Sequence, residues 1–343
     1  ERPSVSPLFL APAAGSFVEF AISRIGEAAF LSAVTGADPA ATLELEAAWI
    51  ASLPVAVPPP RRAAPEGFHR GVCLAHTNSP NSGYGGEVLA ETLDRLVSQG
   101  VEWISVTPFG FQRARDSLRI GHVLRGPYAE TDEVMRRVIR EAHARGLKVL
   151  YKPHLWVGHG EWTGEIEMKD EGAWMEWFDS YRRFIVHHAA LAEEERAEVF
   201  CAANELVKTA GRKRPWLNTL SAIRKVFGGP LTYAANWGEE AEKVSFWDSL
   251  DFVGVNAYYP LSLNPDASDE ALAAGARAVA ERLEKVGRLS RRPVLITEMG
   301  FASRPACWVD PHREVREAAP DLSCQVRAYR AVLQAFTREP FRG

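Results

Sequence analysis

Seven short runs of apolar and β-branched residues recur along the chain at nearly even spacing, and this cadence restricts the fold more than any other feature. The runs cover 69–76, 101–109, 147–156, 197–206, 231–237, 251–259 and 293–301. Their starts are about 37 residues apart, the length that one strand, one helix and two turns require. Between them apolar residues fall at helical spacing. Val88, Leu89, Leu93, Leu96 and Val97 precede Gly100; Val134, Met135, Val138, Ile139 and Ala142 lie between a Thr131 cap and Gly146. Trp174, Trp177, Phe178 and Tyr181 begin a further stretch to Leu191, and another runs from Leu272 to Val286. Such alternation implies parallel strands with helical crossovers, and seven or eight units predict an α/β fold of the (β/α)8 TIM-barrel type. No GxGxxG loop follows the first run, which argues against a doubly wound dinucleotide-binding sheet.

The first 66 residues have a different pattern. Apolar positions from Phe17 to Val34, then a stretch from Asp38 and Pro39 to Leu53, predict two helices, and VAVPPPRRAAP (55–65) reads as an extended linker. The expected division is a helical extension with a proline-rich linker over 1–66 and a barrel domain over 67–343. After a helix-like stretch at 322–337 the chain reads REPFRG and ends where an eighth strand should begin. The expectation is therefore a barrel lacking that strand, incomplete at its C-terminus, with unpaired edges on the first and seventh strands.

With 46% hydrophobic and 24% charged residues the chain can bury a core, and a net charge of −4 provides no basic field for nucleic acid. No apolar stretch is long enough for a membrane span. The cysteines match no zinc-ribbon or CxxC spacing; Cys73 and Cys201 read as buried thiols, and the state of Cys307 and Cys324 is open. The first residue is Glu1, which reads as a trimmed chain, so a secreted or periplasmic location is preferred to a cytoplasmic one.

Barrels of this type place their chemistry at the carboxyl ends of the strands. Those ends are polar here: His76, Thr107, then Lys152, His154 and Trp156, then Asn204 and Glu205, Asn236 and Trp237, Asn256 and Tyr258, and Thr297 and Glu298. Strand alternation puts Tyr258 into the mouth and Tyr259 away from it, and groups Lys152, His154 and Trp156 on one wall. Glu205 and Glu298 each follow an apolar run, where a lone carboxylate is costly without partners or a task. Carboxylates on the fourth and seventh strands face each other across the mouth, as the acid and the nucleophile of a retaining glycosidase must.

In these segments the chain resembles clan A glycoside hydrolases, and most of all glycoside hydrolase family 113, whose described members are β-mannanases. The resemblance rests on GVEWISVTPFG, GLKVLYKPHLW with EWTGEI, ANEL, LTYAANW, FWDSLDFVGVNAYYPL and RPVLITEMGF, in order from about Phe68 to Gly343. It implies that Glu205 is the acid/base, Glu298 the nucleophile, Asn204 a partner of the sugar 2-hydroxyl, and Tyr258 an orienting group for Glu298. The substrate would be a mannan-type oligo- or polysaccharide, with no cofactor; another β-linked glycan and a non-catalytic carbohydrate-binding barrel stay open.

Indole rings suit the apolar faces of sugars, and Trp156, Trp162 and Trp237 lie at or just beyond strand ends. Trp308 is a weaker candidate, while Trp103, Trp174, Trp177, Trp216 and Trp247 read as packing. Lys152, His154, Asn236, Asn256, His76 and Thr107 complete the candidate substrate-binding set. His154, His159 and Glu161 lack the helical spacing of a zinc site, so no metal is expected.

Overall fold

A computed structural model describes residues 58–74, 83–122, 130–313 and 318–343, with Ser23, Arg24, Ala29 and Ala48, which are helical. The contacts separate Glu1–Val57 from Pro58–Gly343, and the second unit is described below. The helices expected over 17–34 and 38–53 otherwise lie outside the described residues, as does His76.

In chain order the unit contains β1 (Gly71–Leu74), α1 (Leu89–Ser98), β2 (Trp103–Val106), β3 (Phe109–Gln112), β4 (Ile120–His122), α2 (Asp132–His143), β5 (Lys148–Tyr151) and β6 (His154–Val157). There follow α3 (Glu171–Glu194), β7 (Val199–Asn204), α4 (Lys213–Arg224), β8 (Leu231–Ala235), α5 (Glu240–Lys243), β9 (Val253–Asn256), α6 (Asp269–Ser290), β10 (Val294–Glu298) and α7 (Leu322–Phe336). Seven strands form one parallel sheet in the order β1-β2-β5-β7-β8-β9-β10, the wall of a nearly closed TIM barrel.

The second and third sequence runs differ from expectation in one respect: each gives two strands. Pro108 and Pro153 interrupt them, because proline has no N–H for the ladder. Beyond the prolines, β3 pairs with β6 in parallel and with β4 antiparallel, making a three-stranded sheet beside the barrel mouth. The helices begin as their caps dictate. Thr131 accepts from the Val134 amide at 3.3 Å, Asp170 from Ala173 at 2.8 Å, Ser268 from Ala271 at 3.2 Å and Asp321 from Cys324 at 3.0 Å. In α3 the buried residues Trp174, Trp177, Phe178, Tyr181, Phe184, Ile185 and His188 follow the 3–4 spacing of one helical face, so this long helix supplies much of the core.

The strands approach one another closely. A side chain at Gly254 would meet the Tyr233 carbonyl at 2.4 Å, so only glycine lets β9 lie against β8. The proline-rich segment is pinned beneath the barrel: Arg62 donates its amide to the Gly228 carbonyl at 2.8 Å and its guanidinium to Glu193 at 2.6 Å, while Arg61 reaches Asp251 at 3.1 Å.

At the other end, the residues expected to precede a missing strand already pair on both sides. Val294 donates to Pro340 at 3.1 Å, Arg342 to Val294 at 2.7 Å, Ile296 to Gly343 at 2.8 Å, and His69 to Arg342 at 2.5 Å. Residues 340–343 thus occupy the start of an eighth position between β10 and the approach to β1. Cys73, read from sequence as a buried thiol, has exposed residue surface on β1 although burial raises its thiol pKa; Cys201 is buried as expected, and Cys307 and Cys324 are free thiols. Beside the seam Cys73 donates to the Thr297 carbonyl at 3.3 Å.

Burial pushes His69, His122 and His154 each down to about 4. A histidine held neutral in the fold contributes stability that is complete above its unfolded pKa near 6.5 and declines as pH falls toward its folded value. Thermal unfolding followed from pH 7.5 to pH 4.5 should therefore show a steep fall in melting temperature, reflecting a loss of stability on the order of a few kcal/mol in total. A flat profile across that window would contradict the neutral assignment.

Candidate active site

Backbone irregularity occurs at the ends of both strands that carry the paired carboxylates. The register of β7 against β8 shifts between Cys201 and Asn204, and that of β10 against β9 shifts between Ile296 and Glu298. Glu205 itself has φ of 54°, a left-handed conformation that a glutamate adopts only when its surroundings impose it. Shifts of this kind re-aim side chains, here into the mouth.

Glu298 is surrounded by donors. The ammonium of Lys152, whose side chain is 1% exposed, meets Oε1. Asn204 Nδ2 donates to the same oxygen at 3.4 Å, and the Tyr258 hydroxyl donates to Oε2 at 3.1 Å. Among the described residues, Glu205 accepts from neutral donors: Asn256 Nδ2 to Oε1 at 2.8 Å and Trp162 Nε1 to Oε2 at 3.1 Å. Asn256 also donates to Asn204 Oδ1 at 2.8 Å and accepts from Thr297 Oγ1 at 2.8 Å, so a chain of amides links the two carboxylates.

These surroundings move the two proton affinities apart. Burial raises Glu205, and the charge of Glu298 adds to that rise against the Asn256 hydrogen bond. Burial alone would raise Glu298 as well, but the Lys152 ammonium outweighs it and holds the carboxyl below its usual range. Lys152 shows the complement: burial opposes its charge, and Glu298 more than restores it. Glu205 therefore has the higher proton affinity of the two, and Glu298 the lower.

The remaining predicted residues divide in their surroundings. His154 adjoins this pair electrostatically, burial holds it neutral, and its buried Nδ1 has no hydrogen-bond partner among the described residues. Trp156 and Trp162 are 54% and 42% exposed. The ring of Trp162 lies where a side chain on residue 164 would stand, since a Cβ on Gly164 would come within 2.4 Å of it. Thr107 donates its amide to the Tyr84 hydroxyl at 2.8 Å, and that hydroxyl donates to Leu74 at 2.7 Å, tying the ends of β1 and β2. Trp237 packs against His312 with ring centroids 4.7 Å apart. Tyr259 turns away from the mouth, donating to Gly238 at 3.2 Å. Trp308 is buried and donates to Asn264 at 3.0 Å, which makes it a packing residue, as are Trp103, Trp174, Trp177, Trp216 and Trp247. Glu161 accepts the Arg115 amide at 2.7 Å, and among the described residues no group of three or more His, Cys, Asp or Glu is disposed to hold a metal.

One buried acid was not legible in the sequence. Glu240, 2% exposed, accepts from the Tyr233 hydroxyl and, at 2.5 Å, from the Asn236 amide, and burial pushes it up to about 7. It fixes the turn that carries Asn236 and Trp237. In the polar run NWGEEAEK nothing distinguishes it from its neighbours, since only the fold buries it.

A parallel barrel whose fourth and seventh strands end on neighbouring carboxylates of unequal proton affinity is the architecture of a glycoside hydrolase. The profile of Glycoside Hydrolase Family 113 matches residues 76–343, and the chain belongs to that family. Among solved structures it is similar to the family 113 β-mannanase of Alicyclobacillus acidocaldarius in complex with ManMIm: 27% identity, TM-score 0.71, covering 81% of this chain and 86% of that one. A second family 113 β-1,4-mannanase gives 25% identity and a TM-score of 0.69, covering 81% and 87%. A β-glucuronidase from Ruminococcus gnavus shares the fold at 12% identity and a TM-score of 0.51, with 81% of this chain and 41% of that one covered. No curated protein matches the sequence. Among the described residues no helix is long and apolar enough to cross a membrane.

Proposed function

We propose that this glycoside hydrolase cleaves β-1,4-mannosidic bonds in mannan-type polysaccharides by double displacement, with Glu205 as acid/base and Glu298 as nucleophile. The observation that carries the mechanism is the opposed electrostatics of the pair: a cation on Glu298 and, among the described residues, neutral donors on Glu205. In the first step Glu298 attacks the anomeric carbon while Glu205 transfers its proton to the leaving oxygen. Once the glycosyl ester forms, the charge on Glu298 is gone and the proton affinity of Glu205 falls. Glu205 then takes a proton from the water that attacks the ester, releasing the sugar with its configuration retained. The substrate is assigned from the family and from the similarity to two mannanases.

The test is hydrolysis of a panel of β-linked polysaccharides by the wild type and the Glu298→Ala variant, with product stereochemistry followed by NMR. Retained products from mannan are expected. Cleavage of glucan or xylan but never of mannan would overturn the substrate, and inverted products would overturn the mechanism.

Lys152 has a specific part in this scheme. Removing its charge in Lys152→Met should raise the pKa of Glu298, moving the acid limb of kcat/KM up by about one pH unit or more. Lys152→Arg keeps the charge and should restore the limb in part. An unmoved acid limb in the methionine variant would show that the cation does not control the nucleophile.

A further inference from the structure

Glu240 is a buried acid that the double displacement does not use. It opens α5, and among the described residues no cation is paired with it. Its partners are two donors, the Tyr233 hydroxyl on Oε1 and the Asn236 amide, at 2.5 Å, on Oε2. Burial pushes it up to about 7, and the charge of Glu205 adds to that rise, so the two carboxyl groups are near enough to interact. An acid buried without a counter-charge is costly, and a neutral residue would be cheaper unless both of its oxygens are needed. Here both are. A glutamine with its carbonyl turned to Tyr233 would set its own N–H against the N–H of Asn236.

The Tyr233 hydroxyl leads from this acid to the strand end that carries Glu205. Its ring is fully buried on β8, edge-on to Trp216 and Phe246 with centroids 5.5 Å and 5.6 Å away. Because the hydroxyl proton goes to Glu240, the oxygen is free to accept, and it meets the backbone N–H of Leu206, the residue after Glu205. The next residue of β8, Ala234, accepts the Glu205 amide at 2.8 Å. Thr209 closes the turn from the other side, donating to the Leu206 carbonyl from its amide at 2.9 Å and its hydroxyl at 2.7 Å. Glu205, at φ of 54°, therefore lies between backbone groups that β8 holds in place. A residue with a side chain keeps that conformation only while its neighbours enforce it.

We propose that Glu240 is a positioning residue for the acid/base: acting through the Tyr233 hydroxyl, it holds the Glu205–Leu206 backbone in the conformation that aims the Glu205 carboxyl into the mouth. The inference rests on the proposed glycosidase reading and adds the group that keeps its general acid in place. Glu240 is 2% exposed and acts through Tyr233, without touching the sugar.

The test compares β-1,4-mannohexaose, whose leaving group needs a proton, with 2,4-dinitrophenyl β-mannoside, whose leaving group does not, for the wild type, Glu240→Gln and Tyr233→Phe. A misplaced acid should lower kcat/KM on the hexaose by about tenfold to a hundredfold and leave the aryl substrate within about threefold of the wild type. A merely structural role would lower both alike. Comparable losses on the two substrates, or no loss on either, overturn the proposal. Tyr233→Phe keeps the buried ring and is expected to fold, which circular dichroism checks, and it decides where the two variants differ. If the wild type does not cleave the hexaose, the parent reading fails; in that case, or if the aryl substrate is not taken, crystal structures of the variants decide the positioning. Residue 205 leaving its left-handed φ supports it, and Glu205 unmoved in both variants overturns it.

Discussion

Replacing Glu298 by alanine should reduce turnover on mannan by at least about ten-thousand-fold while leaving oligosaccharide binding measurable. The first half follows from covalent chemistry, since without the carboxylate no glycosyl ester forms. The second half follows from position, because the other proposed sugar-contacting groups, such as Trp156, Trp162 and Asn204, lie on other segments. The same change should destabilise the fold. It leaves the Lys152 ammonium, whose side chain is 1% exposed, with no anion against it, and breaking a buried pair from one side costs about 3–5 kcal/mol. Glu298→Gln is the companion variant, since it keeps acceptor and donor atoms for Tyr258 and Asn204. Both should be inactive, with the alanine variant melting lower. Appreciable turnover by either would remove Glu298 from the nucleophile role, and loss of all sugar binding in both would show that the carboxylate holds the substrate instead.

Replacing Glu205 by alanine should produce a loss that depends on the leaving group. On mannan, whose leaving group is an alcohol, the general acid is needed, and a fall of about 10²- to 10⁴-fold is expected. On an activated aryl glycoside, the first step needs little protonation, and the ester should accumulate because no base activates water. The pH profile supplies the sign. Glu205 must hold its proton to act as acid, and burial raises its pKa, so the basic limb of wild-type kcat/KM should lie above the ordinary carboxylate range. In Glu205→Ala that limb should vanish for the aryl substrate. Equal losses on good and poor leaving groups would contradict the acid role, as would a basic limb that survives the substitution.

Much of this arrangement was legible in the chain because barrel strands alternate and end at the mouth. The apolar runs before Glu205 and Glu298 placed both carboxylates on strand ends, and alternation in 251–259 separated Tyr258 from Tyr259, as their hydrogen bonds to Glu298 and Gly238 agree. Sequence reading placed Lys152 among the sugar-binding residues; the structure turns its ammonium to Glu298. That partner lies 146 residues away, and no local pattern encodes it. Glu240 escaped notice for the same reason, and so did the small sheet, because the break at Pro108 that creates it resembles the interior of one long run. The last residues read as a stub before an absent strand, yet they pair with both neighbours once the barrel curves round to meet them.

By itself, the sequence determined the order of strands and helices, the caps at which helices begin, the residues at the mouth and the resemblance to a family. These are short-range matters, set by the periodicity of apolar residues and by side chains three or four positions from the backbone groups they satisfy. Tertiary structure decided which carboxylate faces a cation and which, among the described residues, faces neutral donors, and therefore which has the higher proton affinity. Charge interactions inside a protein depend on burial and on distances between strands far apart in the chain, and these exist only after the barrel has closed around them.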